Sequence, residues 1–129
     1  MMLFVQPMRS WTLPHDLTAA RVARDHVLEW WGTGTQGVAA DRLDDAMLMA
    51  SELAVNAVRH GRAPIELTLN GVEGLLRISV RGTSPTGDPQ VGTMDDLATS
   101  GRGLAIVASL AADWGWSRDG DQVTVWATV

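Results

Sequence analysis

The sequence has 129 residues, 46% hydrophobic and 19% charged, which fits one globular domain with a buried core and excludes a disordered chain. Its ten cations are all arginine, and a net charge of −5 with a pI near 4.9 excludes a general nucleic-acid binder, which needs clustered cations. Because cysteine, an export signal and a membrane-length apolar run are all missing, we expect a cytoplasmic chain without disulfides, thiolate metal sites or membrane attachment.

The chain begins with a predicted strand and helix. Arg9–Leu13 alternates in polarity and stops at a proline, which predicts a short strand. A helix follows that Asp16 or Thr18 can cap, and the charges of Arg21 and Asp25 are paired at helical spacing.

The next predicted elements are a loop and a long helix. Residues 31–40 contain three glycines and no periodicity, which predicts a loop. A second helix is expected from Asp41 to about His60, with Gly61 ending it in the left-handed conformation.

The following part of the chain has the period of strands. Ile65–Leu69 and Leu75–Val80 alternate, and the turn Asn70–Gly74 joins them into a hairpin with one buried face. The stretch Gly82–Ser100 is rich in Gly, Pro, Thr and Asp and has no rhythm. A loop of that length is usually a functional lid or a mobile segment.

The chain closes with a helix and a second hairpin. Leu104–Ala112 is apolar apart from Ser109 and is expected to be buried. Trp114–Arg118 and Gln122–Thr128 read as strands joined by an Asp-Gly-Asp turn. The order of elements predicts an α+β fold with one layer of helices on one sheet.

The second helix carries two polar residues among apolar neighbours, and their position requires a chemical explanation. Glu52 and Asn56 point the same way from successive turns, and Met49, Leu48 and Val55 border them. Such groups must be hydrogen-bonded, face a wet cleft or hold an ion, since burying a neutral polar group unpaired costs roughly 2–7 kcal/mol. The plainer alternative is that an arginine pairs with Glu52 and that Asn56 is exposed.

A second candidate site lies at the start of the last helix. Hydroxyls, glycines and a cation precede or open this helix, where unpaired amides and the helix dipole attract anions. Alternatively, the segment is a turn packed against the sheet. Its residues are Thr99, Ser100, Gly101, Arg102, Gly103 and Leu104.

Two motifs together resemble the GHKL ATPase superfamily, and more narrowly the RsbW-like anti-sigma-factor serine kinases and related small bacterial ATP-binding regulators. SELAVNAVRHG matches the pattern E-L-x-x-N-A-x-x-H-G at every named position, and SGRGLAIV matches the later glycine motif. The resemblance covers about Arg9 to Val129. It implies a single histidine-kinase-like ATPase domain over residues 1–129, with a lid loop at about 82–100. The implied fold is a two-layer α/β sandwich of the Bergerat type, whose mixed, mostly antiparallel sheet has helices on one face.

The resemblance also implies ATP and Mg²⁺ as cofactors and assigns roles to the two sites. Asn56 would give its side-chain oxygen to Mg²⁺, and Glu52 would be the general base near the γ-phosphate. The backbone amides of residues 101–104 would hold phosphates, with Arg102 adding charge. His60 matches its family position, either as a phosphate contact or as a partner of the helix dipole.

One position departs from the family pattern. Gly82 stands where the family has an aspartate that accepts a hydrogen bond from the adenine amino group. Losing that bond should weaken adenine recognition by very roughly 1.5–3 kcal/mol. Thr83 or Ser84 could substitute through a water molecule.

This departure leaves two main functions open. One is an ATP-dependent protein serine/threonine kinase that transfers the γ-phosphate to a serine of an antagonist protein. The other is a non-catalytic partner-binding module whose nucleotide binding is weak or lost. A third is a phosphate or nucleotide sensor without transfer activity. The implied partners are a sigma factor, an anti-anti-sigma protein of the STAS type, or both, and a homodimer is possible.

Six tryptophans are also candidates for core filling or for protein contacts. Trp30 and Trp31 end the first helix, and Trp114, Trp116 and Trp126 lie on the closing strands. Core filling is the expected use, and an exposed Trp30 or Trp31 would mark a protein contact.

Overall fold

A computed structural model of the chain describes residues 8–32, 40–84 and 102–129, with only the backbone at residues 40, 102 and 103. These ranges hold five strands and three α-helices, and a 3₁₀ turn, Ala40–Arg42, leads into the second helix. None of the described helices has the length and apolar character needed to cross a membrane. In chain order the elements are β1 (Arg9–Leu13), α1 (Ala19–Gly32), α2 (Leu43–His60), β2 (Arg62–Val72), β3 (Leu75–Thr83), α3 (Arg102–Leu110), β4 (Asp113–Asp119) and β5 (Gln122–Thr128).

The strands form one sheet in the order β1-β2-β3-β5-β4. Every strand pairing in the described ranges is antiparallel, so the expected α+β fold is confirmed and the sheet is not mixed. Strand alternation gives the sheet a buried face towards the helices and an open face away from them. The fully buried side chains of β2 and β3 on the helix face are Ile65, Leu67, Leu69, Leu76 and Ile78.

Helix α2 is the centre of the helix layer. It packs against α1 and α3 on its sides and against β2 and β3 below. Ala46, Ala50 and Ala54 are fully buried, and their small side chains allow close approach to the neighbouring elements, while Met49 and Leu53 fill the core. The single layer of helices predicted from the order of elements is confirmed.

The helix α1 begins at a side-chain cap. Asp16 Oδ1 accepts hydrogen bonds from the Thr18 hydroxyl and, at 2.8 Å, from the Thr18 amide. The Asp16 carbonyl accepts from the amide of Ala19 at 3.0 Å. The hydroxyl bond and then the amide bond hold the pKa of Asp16 below its ordinary value. The predicted cap at Asp16 is confirmed.

The first hairpin turns more tightly than expected. Strands β2 and β3 continue to Val72 and Leu75, so the turn consists of Glu73 and Gly74 alone. Both have positive φ, 51° and 79°, as a two-residue turn between twisted antiparallel strands requires. The hairpin is confirmed, and the longer turn predicted for Asn70–Gly74 is wrong.

Gly61 does not end α2 in the left-handed conformation. Its φ of −121° and ψ of 178° are extended, because the chain passes directly into β2. The reason for glycine is close approach: a Cβ here would lie 2.8 Å from the carbonyl oxygen of Ala57. The Gly61 carbonyl is also 2.9 Å from Nε2 of His15, which ties this corner to the start of α1.

The last helix is less buried than predicted. It starts at Arg102 and ends at Leu110, two residues earlier than expected at each end. Leu104 and Val107 are buried, whereas Ala108 and Ser109 are exposed. Only one side of α3 therefore faces the core, and the prediction of complete burial is wrong.

The tryptophans divide between the core and the surface. Trp30 is 1% exposed, and Trp31 and Trp114 pack against the core while remaining partly exposed. Trp116 is an exposed residue. Trp126 alternates onto the open face of the sheet, so core filling is confirmed for Trp30 and wrong for Trp126.

Candidate functional site

Glu52 and Asn56 lie one turn apart on α2, and both are half-buried. Across the described part of the chain, neither side chain makes a hydrogen bond or an ion pair. The neighbouring Ser51 differs, because it is buried and its hydroxyl donates to the carbonyl of Leu48 at 2.8 Å. The described residues therefore give Glu52 no arginine partner, and the pair can meet a ligand.

The side of α2 that carries this pair is partly open. Of the apolar residues that border the pair, Leu48 is 40% exposed and Val55 is half-buried. Although α1 and α3 pack against α2, they do not fully cover this part of its surface. A ligand can therefore approach Glu52 from outside the helix layer.

Gly82 lies against the same half of α2. It is buried at the end of β3, and a Cβ there would meet Cβ of Ala57 at 3.9 Å and Cγ1 of Ile65 at 3.8 Å. These are ordinary contact distances, so the position has room for a side chain. Because β3 runs to Thr83, Gly82 belongs to the sheet. Most of the lid predicted at about 82–100 lies outside the described residues, and the lid stays a prediction.

Thr83 is not brought together with Glu52 and Asn56. Strand alternation turns its side chain to the open face, where its hydroxyl accepts a hydrogen bond from Nε2 of Gln122 at 2.9 Å. Its role in nucleotide binding stays a prediction that this contact does not support.

A residue that the sequence did not reveal holds the end of β3. Arg118 donates from Nη1 to the carbonyl of Ser84 at 2.6 Å, and the Ser84 amide donates to the carbonyl of Asp121 at 2.6 Å. A charged residue on an edge strand is normally predicted to face solvent, so no signal in the sequence identifies this contact.

The glycine-led motif is described only in part. Thr99, Ser100 and Gly101 lie outside the described residues. Helix α3 begins at Arg102 and packs against α2, and its first-turn amides lack helical partners. Leu104 is 2% exposed and faces the core, so only its backbone could meet a phosphate.

His60 lies on the last turn of α2, one turn beyond Asn56, and is exposed. Arg59 and His60 together supply cationic or polar groups at the helix C-terminus, where the dipole favours positive charge. A phosphate contact by His60 stays a prediction.

The described residues hold no group of three or more His, Asp or Glu side chains that could bind a metal unaided. Mg²⁺ does not need such a group, because it keeps several waters and commonly takes one or two protein oxygens besides phosphate oxygens. An unpaired, half-buried amide at Asn56 fits one such ligand. The arrangement as a whole can hold a metal-bound anion beside a carboxylate base.

The histidine kinase-like ATPase domain family matches residues 13–129. Among solved structures, the chain is similar to the crystal structure of the RsbU and RsbW domains of Rv1364c from Mycobacterium tuberculosis, with 25% sequence identity and a TM-score of 0.65. The match covers 95% of this chain and 32% of the mycobacterial chain. The histidine kinase AdeS from Acinetobacter baumannii is 19% identical, with a TM-score of 0.47 over 95% of this chain and 68% of that one.

The chain thus spans about a third of the mycobacterial chain that it matches. No curated protein matches the sequence significantly.

Proposed function

Because this chain belongs to the histidine kinase-like ATPase domain family, for which ATP is the implied ligand, we propose that it is a regulatory serine/threonine kinase. It binds ATP with Mg²⁺ and transfers the γ-phosphate to a serine of an antagonist protein. The acceptor protein belongs to the anti-anti-sigma (STAS-type) class. The kinase and its acceptor together regulate a sigma factor.

The observation that carries this proposal is the pair on α2. Glu52 is a half-buried carboxylate without a protein partner in the described ranges, four residues from an equally unpaired amide at Asn56. A carboxylate within reach of the acceptor hydroxyl would take its proton as the serine oxygen bonds to the γ-phosphorus and the bond from that phosphorus to the β–γ bridging oxygen breaks, with ADP as the leaving group. The amide oxygen of Asn56 would hold Mg²⁺, which would neutralise charge on the phosphates.

A partner-binding module with weak or lost nucleotide binding is the second candidate. Gly82 favours it, because this residue has no side chain that could accept a hydrogen bond from the adenine amino group, and Ala57 and Ile65 line the position beside it. In that case the chain would bind its partner through the same fold and transfer nothing.

Calorimetric titration of the chain with Mg²⁺ and ATP separates the two candidates. The kinase predicts saturable binding that EDTA abolishes, and no heat at millimolar ATP would reject it. Asn56→Ala should lose the magnesium-dependent part of the affinity. Glu66→Ala is the matched control, since Glu66 is a carboxylate on the open face, 3.5 Å from Arg81 in an exposed ion pair of little energy.

The role of Glu52 is tested by replacing it. Glu52→Gln should bind ATP as the wild type does and lose phosphate transfer by about 10²- to 10⁴-fold, the usual contribution of a general base. Transfer at the wild-type rate would reject the assigned role, whatever the affinity for ATP.

A further inference from the structure

An outward-facing stripe of α2 leads from its first turn to Glu52 and beyond. The outer stripe consists of Asp44, Leu48, Glu52 and Val55, which fall within one side of the helix at 100° per residue. Asp44 and Leu48 are exposed, and Glu52 and Val55 are half-buried. Helices α1 and α3 both pack against α2, and the exposure of Asp44 and Leu48 shows that this side of α2 is partly open.

Leu48 is the feature that packing does not explain. It is 40% exposed on the central helix of the domain, between turns that are buried on their inner side. The acidic residues before it have a partial explanation, because carboxylates in a first helical turn stabilise the helix dipole. The helix dipole does not explain why a leucine is exposed one turn before Glu52, or why the apolar Val55 follows about one turn after Glu52.

The charge around Leu48 indicates what would cover it. Asp41 and Asp44 are exposed, and within the described part of the chain neither is in an ion pair. The chain as a whole carries a net charge of −5. A partner segment that lies on this side must therefore bring cations to the Asp44 end and an apolar residue to Leu48.

We propose that the outer stripe docks the acceptor segment of the protein substrate, in which an apolar residue lies about two positions and basic residues about four positions from the acceptor serine, in the same direction along the peptide. This inference rests on the proposed kinase function, which requires the acceptor hydroxyl at Glu52. With a helical rise of 1.5 Å per residue, Leu48 lies about 6 Å and Asp44 about 12 Å along the axis from Glu52. An extended peptide covers these lengths in about two and four residues.

The test uses two synthetic serine peptides of equal length. The basic probe has leucine about two residues and arginines about four residues from the serine, and the acidic probe has glutamates in place of the arginines. Fluorescence anisotropy measures their binding to the chain loaded with Mg²⁺ and a non-hydrolysable ATP analogue. Transfer of labelled phosphate from ATP is measured separately, so that docking and chemistry are read independently.

The wild type should bind the basic probe more tightly, by about twofold to fivefold for each exposed ion pair. Asp44→Arg should reverse the preference, so that the acidic probe gains what the basic probe loses. Leu48→Ala should weaken both probes severalfold and leave ATP affinity unchanged. Leu28→Ala is the matched control, because Leu28 is a 51% exposed leucine on α1, and it should change nothing.

Equal binding of the two probes, or a preference that Asp44→Arg leaves in place, would overturn the docking proposal even if serine transfer is observed. The same holds if Leu48→Ala and Leu28→Ala behave alike. If the preference reverses as expected but no phosphate reaches either probe, the docking surface stands and serine transfer is what fails.

Discussion

Restoring a carboxylate at position 82 is the sharpest test of how the base is recognised. In Gly82→Asp, the new Cβ would meet only ordinary contacts, at 3.8 Å from the Arg62 carbonyl oxygen and from Ile65 and at 3.9 Å from Ala57. The Cβ therefore fits without moving the backbone, and it lies on the helix face of β3, beside the half of α2 that bears Asn56.

The expected effects have opposite signs in the free and bound states. A charge-assisted hydrogen bond to the adenine amino group contributes about 1.5–3 kcal/mol, which corresponds to about tenfold to a hundredfold in ATP affinity. Without ATP, the carboxylate is buried beside apolar groups and lowers stability by at least about 3 kcal/mol, because an unpaired charged group costs more than a neutral one. The melting temperature of the free variant should fall by roughly 4 °C for each kcal/mol, and ATP should restore it.

Calorimetry with ATP and GTP, and thermal unfolding with and without ATP, measure the two effects. Gly82→Ala is the matched control, because it adds the Cβ without an acceptor and should leave ATP affinity unchanged. The 6-oxo group of guanine cannot donate, so GTP should gain nothing from Gly82→Asp. If both variants fold and the aspartate brings no gain in ATP affinity, adenine does not bind against position 82 and the reasoning is refuted.

Three further predictions concern the fold that holds the site. Gly61→Ala should destabilise the chain by about 1–3 kcal/mol in chemical denaturation, because its Cβ would overlap the Ala57 carbonyl; unchanged stability would contradict the close approach. Gly115→Ala should displace the Trp126 ring, whose Cζ2 would lie 2.7 Å from the new Cβ, and an unchanged near-ultraviolet dichroism spectrum would refute this. The pKa of Asp16 is lowered on folding, so the contribution of its carboxylate to stability is present above about pH 4 and is lost as the pH falls further. Asp16→Ala should therefore be less stable than the wild type at pH 7 and equally stable in acid. A stability difference that does not change with pH would exclude the cap as its cause.

The elements with strong local signals could be predicted from the sequence. Ile65, Leu67 and Leu69 alternate along β2 and are fully buried, and β1 has the predicted bounds Arg9–Leu13. Both follow from the side-chain period of a strand and from the proline after Leu13. The closeness of Glu52 to Asn56 could also be predicted, because residues four apart lie on the same side of a helix.

Features that depend on neighbouring elements could not be predicted. Trp126 alternates onto the open face, and its ring is covered by the Arg77 guanidinium, 4.1 Å from the ring centroid, a contact that needs the register of β3 with β5. The exposure of Leu48 depends on where α1 and α3 lie beside α2. Gly61 is a glycine because of the Ala57 carbonyl beside it, so a turn rule applied to the sequence gave the wrong conformation.

The unpaired state of Glu52 and Asn56 bears on the choice between a kinase and a binding module. A half-buried carboxylate and amide lose part of their hydration, and in the described ranges no protein group compensates for it. A fold that served only to bind a partner through its outer surface would not need a carboxylate and an amide at these two half-buried positions. A bound metal and its phosphates would supply the missing interactions directly. The cost carried by the free chain is therefore the reason to expect a ligand at α2, and the affinity for Mg²⁺–ATP measures how much of that cost the ligand offsets.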